Sequence, residues 1–491
     1  MGRRALGLFE TRLEELASKG DAQVALVFDD REVSCAELLR RTRTCAAWLA
    51  GHGLVAGETV GVTVADDLAH IVVTFALLIL GVPQICLPTL DPVGKRLSVG
   101  ERLGVRRVVA DRANGALPRL AMLSLEPDHY AAGGADLERS LSLDPNAPAV
   151  YYASSGATGE PKLFALSQRW LYWRAQRIAE SERASPGHRS LTFVSLEDSM
   201  AKSRLLSSIL MGAACVIPEA GSLLSAPEIC ARHRVTCLEL SIFQVSSLAM
   251  DPSAPRRLPP HTTAYTAGAA VSPSLRRQFA ARFETPLYVH YGAREFGRIS
   301  STYPQGDRGD PESVGAPGSW LDFEIVDGDG NPVPRGAIGE IRVRSEQMIH
   351  EYYRDPVATA RHFRHGWFYP KDLACLTAEG DVHLYGRADD MMNLNGIKIF
   401  PAEIERVLEG HPAVKTAAAF SKRSTTHGDI PLAAVELHAS AAVSAEELLA
   451  RARERLGMRA PRRILVLDEL PRNASGKVVK RRLIHLLTES K

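Results

Sequence analysis

The stretch Ala149–Ala165, AVYYASSGATGEPKLFA, places a short apolar and aromatic run directly before a loop of small polar residues. Ala149, Val150, Tyr151 and Tyr152 read as a buried strand. Behind it come Ser154, Ser155, Gly156, Ala157, Thr158 and Gly159, then Glu160, Pro161 and Lys162. Two glycines free the backbone to aim several N–H groups at one anion, and three hydroxyls add donors that need no charge. Lys162 adds a mobile positive charge of the kind that follows phosphate oxygens. The same small polar residues also build ordinary surface turns. Two other phosphate loops are excluded by spacing: Lys162 follows a proline where G-x-x-x-x-G-K-[ST] needs a glycine, and no G-x-G-x-x-G is present.

Three further stretches carry residues able to do chemistry. In Leu287–Ile299, LYVHYGAREFGRI, a strand delivers Tyr291, Gly292 and Glu295 at its end, where open α/β sheets place ligands. An aromatic there can stack on a purine, and the carboxylate can hold Mg²⁺ against phosphates. An ordinary turn, with Glu295 paired to Arg294 or Arg298, is the bland alternative. Leu384–Leu408, LYGRADDMMNLNGIKIFPAEIERVL, contains Arg387, which can reach ribose and phosphate. In the same stretch Asp389 stands where a strand turns into a new unit, and Pro401 opens a helix with Glu403 and Glu405 in its first turns. Leu470–Leu483, LPRNASGKVVKRRL, ends the chain with a Gly-Lys loop whose Lys477 can bring an ammonium to a developing negative charge.

Taken together these stretches resemble the adenylate-forming superfamily of acyl-CoA synthetases, aryl-acid ligases, nonribosomal adenylation domains and luciferase. The first stretch is similar to that family's [ST]-[ST/S]-G-[ST]-[ST]-G-x-P-K-G loop, with Ala157 and Leu163 as departures. Tyr291–Glu295 resembles Y-G-x-T-E, with Arg294 in place of threonine, where it could read a nucleotide phosphate or an acidic group on the other substrate. Trp367–Ala374 resembles W-[FY]-x-T-G-D, with Pro370 and Lys371 replacing Thr and Gly and Asp372 kept. Leu384–Leu408 meets G-R-x-D-[DN]-x-[IM]-[KN]-x-x-G-x-[KR]-[IV]-x-P-x-E-[IL]-E almost throughout, Asn393 taking a position often held by lysine.

The resemblance implies an α/β fold: a large N-terminal domain, 1–386, with parallel-rich sheets and a small β-barrel-like part, and a small mobile α+β C-terminal domain, 387–491, hinged near Asp389. It implies that ATP activates an acid as acyl-AMP with release of pyrophosphate, and that the acyl group then passes to a thiol of coenzyme A or of carrier-protein phosphopantetheine. Lys477, Glu295 and Arg387 take catalytic roles. Ser154, Ser155, Gly156, Thr158, Gly159 and Lys162 hold phosphates. Gly268, Ala269, Ala270, Tyr291, Gly292, Arg294, Asp372 and Arg387 complete the nucleotide site. Glu295 and Thr158 hold Mg²⁺, and Asp372 accepts from the ribose hydroxyls. The acid pocket draws on Ser195–Arg204 and on Gly268. That segment carries Glu197, Asp198, Ser199, Lys202 and Arg204, so either a charge there (Asp198 or Lys202) selects a polar acid or all of them lie on a solvated face. Two other classes stay open: an adenylating enzyme with a non-thiol acceptor or a small inorganic acid, and a non-catalytic nucleotide-binding relative.

The rest of the chain must position these groups. Its 491 residues require two or more domains, and 59 basic against 57 acidic residues give no reason to expect nucleic acid. Seven scattered cysteines without a C-x-x-C suit reduced thiols in a cytoplasm. No signal peptide is expected, and Gly81, Pro83 and Gln84 break Ile71–Leu87 as a membrane span. Strand alternates with helix through the first 290 residues, with Ser34 and Ser272 as expected helix caps. Residues 313–345 read as all-β. The C-terminal unit reads as helix 402–410, strands Val414–Phe420 and Leu432–Leu437, helix Ser444–Leu456 and strand Arg463–Val466.

Overall fold

A computed structural model describes residues 7–28, 31–111, 117–133, 143–154, 161–182, 187–218, 223–251, 257–268, 271–304, 308–346, 348–395, 397–424, 426–438, 441–472 and 478–489. Two parallel-rich sheets form its larger part. In one, the strands Leu287–Ala293, Thr263–Ala267, Cys237–Ser241, Arg189–Thr192, Ala214–Ile217 and Val24–Phe28 lie side by side in parallel, with antiparallel strands at both edges. The other carries Ala121–Ser124, Arg107–Ala110, Val60–Thr63, Gln84–Cys86 and Pro148–Ser154 in parallel, closed by antiparallel Lys162–Ser167.

Short apolar strands alternating with helices give this result because a parallel pair needs a crossover that covers the sheet. Helix Asp67–Leu80 shows the local logic. Asp66 caps it by accepting from the Ala69 amide at 2.7 Å, Gly81 ends it in the left-handed region, and nearly every residue between is buried. It shares one apolar core with helices Leu8–Ala17, Cys35–Gly51, Gln168–Glu182 and Ser199–Leu210 and with residues of both sheets, so these helices form the layer between them. The expected caps are present, Ser34 accepting from Glu37 and Ser272 from Leu275.

The all-β region becomes a six-stranded antiparallel sheet of strands between Asp322 and Arg387. A short turn, Ala388–Asp390, leads into a fourth sheet with helices Pro401–Glu409 and Ala445–Leu456 packed in its core. Its central hairpin, Val414–Ser424 with Gly428–Leu437, runs longer than its apolar pattern. The outer rungs pair polar residues such as Arg423 and Asp429, which the backbone ladder holds without a buried face.

Period-2 alternation on strand Cys237–Ser241 has an unusual outcome. Leu238 and Leu240 join an apolar core on one face, whereas Cys237 and Glu239 face helices Gln168–Glu182 and Ser199–Leu210. There Arg204 pairs with Glu182, its Nε donates to Glu239 at 2.5 Å, and Arg298 Nη2 donates to Glu182 at 2.8 Å. The Glu182 and Arg204 side chains are only 2% and 3% exposed. Burial opposes ionisation of Glu182, yet Arg204 and Arg298 outweigh it and hold the carboxyl well below its ordinary range. Removing one member strands the others as buried charges, at a cost of about 3–5 kcal/mol. Glu182→Gln is therefore expected to lose stability of about that size in urea unfolding. A loss under about 1 kcal/mol would show the cluster to be dispensable.

Candidate active site

The site forms where strands end. Parallel pairing of Thr263–Ala267 with Leu287–Ala293 brings Gly268, at φ +91°, beside Tyr291 and Gly292. Gly292 has to be glycine, because a Cβ there would lie 2.2 Å from the Gly297 carbonyl oxygen. Ser154 ends its strand in the second sheet, its hydroxyl 3.5 Å from the Lys162 carbonyl. Arg294 joins the two sheets: Nη1 donates to the Ala153 carbonyl at 2.8 Å and Nη2 to Asp198 at 3.1 Å. Both of its terminal nitrogens thus serve protein acceptors in this structure.

Two clusters stand at this edge. In the first, the Tyr291 hydroxyl donates to Asp372 Oδ2 at 2.6 Å, and Arg387 lies 3.4 Å from Asp372 Oδ1 and from Asp389. Asp372 and Arg387 meet because they face each other across adjacent antiparallel strands. In the second, Lys162 Nζ stands 2.6 Å from His362 Nε2 and 5.1 Å from the centre of the Tyr352 ring, while the Tyr352 hydroxyl donates to Glu295 Oε1 at 2.9 Å. His362 Nδ1 lies 2.9 Å from the Tyr369 carbonyl. A carbonyl only accepts, so Nδ1 carries the proton and Nε2 is left to accept from the Lys162 ammonium. Burial lowers the pKa of both Lys162 and His362, and each is further lowered by a cation, Arg387 for the first and Lys162 for the second.

Tyr352 and His362 carry no signal in the sequence, since nothing in their spacing ties them to residue 162. Glu295 is not paired to Arg294 or Arg298 but to Tyr352. One of its oxygens is so used, and the second remains a hard donor of the kind Mg²⁺ takes. Ser155, Gly156, Thr158, Gly159, Ala269, Ala270 and Lys477 lie outside the described residues, as does the Ser199 side chain. The solvated-face reading of Ser195–Arg204 fails: Lys202 and Arg204 are buried, and Glu197 accepts from the Thr89 amide and hydroxyl. Burial lowers the pKa of Lys202.

Glu182, His188 and Cys237 place three donor atoms within 4.8 Å of one another, but Glu182 already serves two guanidiniums, which supply the positive charge a metal would bring. Lys371 adopts φ +70°, the left-handed region that glycine enters freely, and its ammonium is tied to Glu340 at 2.9 Å.

The Lys162–His362 contact has a measurable consequence. In Lys162→Met the neighbouring charge is gone, so the His362 pKa, followed by NMR of ¹³C-labelled histidine, should rise toward the ordinary value near 6.5. An unchanged titration would mean that burial alone sets it.

Comparison with known proteins bears on the family and the fold. Residues 13–353 match the family model for AMP-binding enzymes, and residues 403–477 match that for the AMP-binding enzyme C-terminal domain. The chain is 27% identical over 478 residues to the 2-succinylbenzoate–CoA ligase of Bacillus subtilis, covering 94% of each. It is 30% identical over 348 residues to the sulfoacetate–CoA ligase of Cupriavidus necator, covering 70% of this chain and 67% of that one. Solved structures of o-succinylbenzoate-CoA synthetase from Bacillus subtilis superpose with a TM-score of 0.86 for the complex with the acyl-adenylate intermediate (26% identity, covering 96% of this chain and 97% of the other). For the complex with ATP and magnesium the TM-score is 0.85 (25% identity, covering 96% and 99%). With its glycine- and hydroxyl-rich loop, its Tyr291–Asp372–Arg387 cluster and both family domains in order, this chain belongs to the AMP-binding enzyme family.

Proposed function

We infer that this protein uses ATP and Mg²⁺ to activate a carboxylic acid as its acyl-adenylate, releases pyrophosphate, and transfers the acyl group to the thiol of coenzyme A. The meeting of Tyr291, Asp372 and Arg387 beside Lys162 and Glu295 carries this reading. A carboxylate for ribose, an aromatic for adenine and two cations for phosphates stand at one edge, next to the loop that supplies N–H and hydroxyl donors.

Tyr291 offers its ring to adenine while its hydroxyl holds Asp372 in place to accept from ribose. Lys162 exchanges its bond to neutral His362 for phosphate oxygens, and Ser154, Ser155 and Thr158 add uncharged donors. Glu295 with Thr158 would hold Mg²⁺, which neutralises phosphate charge when bound. A carboxylate oxygen of the acid attacks the α-phosphorus and pyrophosphate leaves; Lys477 bridges the two anions. The thiol sulfur, giving up its proton, then attacks the acyl carbonyl and AMP leaves. Positioning and charge neutralisation account for most of the acceleration.

Residues 1–386 form the domain that binds ATP and acid, and 387–491 form a mobile domain that turns near Asp389 between the two steps. The relatives named as CoA ligases favour free coenzyme A over a carrier-protein arm, though the basic segment around Lys480–Arg482 suits either. The seven cysteines are free, which fits work in a reducing cytoplasm; among the described residues no helix is long and apolar enough to cross a membrane. Asp198, held by Arg294, and the buried Lys202 would set the charge met by the acid.

Acid-dependent ATP–pyrophosphate exchange tests the reaction. Exchange is expected with one class of carboxylic acid and should fall at least about 100-fold in Lys477→Ala, the size of an electrostatic contribution to a transition state. Exchange that survives in Lys477→Ala would remove that residue from the chemistry. Asp372→Asn should raise the KM for ATP about tenfold, as loss of a charged acceptor for a hydroxyl does, and leave the KM for the acid unchanged. A change confined to the acid would refute the ribose role.

A further inference from the structure

We propose that Arg174 and Tyr152 form a subsite for a second anionic group on the acid, so that the natural substrate is a dicarboxylic acid or an acid bearing a comparable second anion. This rests on the ligase reading above.

Arg174 stands on helix Gln168–Glu182, the helix whose last residue is clamped by Arg204 and Arg298. Its guanidinium lies 5.0 Å from the Trp170 ring centre and donates from Nη1 to the Arg294 carbonyl at 3.2 Å. It rests over Gly297, where a Cβ would come within 3.2 Å of Nε, so the glycine leaves room for it. Three neighbouring guanidiniums each have a carboxylate: Arg204 and Arg298 share Glu182, and Arg294 has Asp198. Arg174 is joined by an ion pair to no carboxylate among the described residues. Burial lowers its pKa to about 10, which still leaves it charged at neutral pH. A charge largely withdrawn from water in this way is costly unless something pairs with it.

Tyr152 supplies an independent observation. Its hydroxyl is buried with no hydrogen-bond partner among the described residues, and Arg174, Asp198 and Arg294 are charges that act on it. Burial pushes its pKa up to about 12, so it keeps its proton and can donate. The side chain points into the core shared with helix Gln168–Glu182, whereas the loop that follows Ser154 serves the nucleotide. Asp198 and Arg294 stand beside Tyr152, so the pair would lie on the acid side of the site and meet the end of the acid directed away from the reacting carboxylate. A planar fork of N–H donors with a phenol beside it matches a carboxylate or sulfonate.

Exchange kinetics with succinate and an aromatic ortho-diacid, each against its monomethyl ester and a plain monoacid, test this. The wild type should favour the diacids by about 100-fold in kcat/KM, the scale of one desolvated charge pair. Arg174→Met should erase that preference through KM, and Tyr152→Phe should reduce it about tenfold, with the KM for ATP unchanged in both. If Arg174→Met fails to fold, Tyr152→Phe decides. Equal or better turnover of the monoesters by the wild type would overturn the subsite, as would an equal loss for all acids in Arg174→Met. Absence of exchange with every acid would instead overturn the ligase reading itself.

Discussion

A buried carboxylate shared by two guanidiniums sets the geometry on which the rest depends. Glu182 joins Arg204 and Arg298, and Arg204 in turn joins Glu239, so two helices and two strands meet at one point. Removing four charges from water is expensive, and their attraction repays it only in this one arrangement. The helix that ends at Glu182 begins directly behind strand Lys162–Ser167, so fixing its far end also fixes Trp170, Arg174 and the base of the nucleotide loop. His290 stays uncharged beside this cluster, because burial and the Arg298 charge keep its pKa well below the usual value.

The site itself is held by side chains that reach from one sheet to another. Arg294 ties the end of the larger parallel sheet to Ala153 in the smaller one, and Tyr291 ties it to Asp372 in the antiparallel sheet. Lys162 and His362 join the smaller parallel sheet to the helix Pro356–His362. Such bonds gain strength from the low dielectric around them and lose it if any sheet shifts by an ångström or so. Ligand groups placed this way need little reorganisation when ATP arrives.

Departures from the family pattern find physical reasons in their surroundings. Leu163, where glycine is usual, is buried in the core of the smaller sheet with Val108 and Tyr151, and its carbonyl accepts from Tyr353 at 2.6 Å. It serves packing. Lys371 carries the strain of a positive φ in exchange for an ion pair with Glu340. Asn393 lies exposed, its backbone amide donating to Asp429 at 3.0 Å.

Much of this was legible in the chain alone. Alternating apolar strands and helices announced the parallel sheets, because burial and crossover geometry act locally. The Gly, Ser, Thr and Lys loop pointed to phosphate chemistry, because a phosphate demands fixed donor types, and the resemblance to a known family extended this to Tyr291, Asp372 and Arg387. What tertiary structure alone decided is which distant residues share a charge. Nothing in the spacing says that His362 receives Lys162, that Tyr352 holds Glu295, or that Arg204 is buried against Glu182 and not solvated. Sequence period reports which face of an element is apolar, but a buried polar residue breaks that period and its partner lies far away in the chain. Only the packing of sheets against helices brings such partners within hydrogen-bond reach.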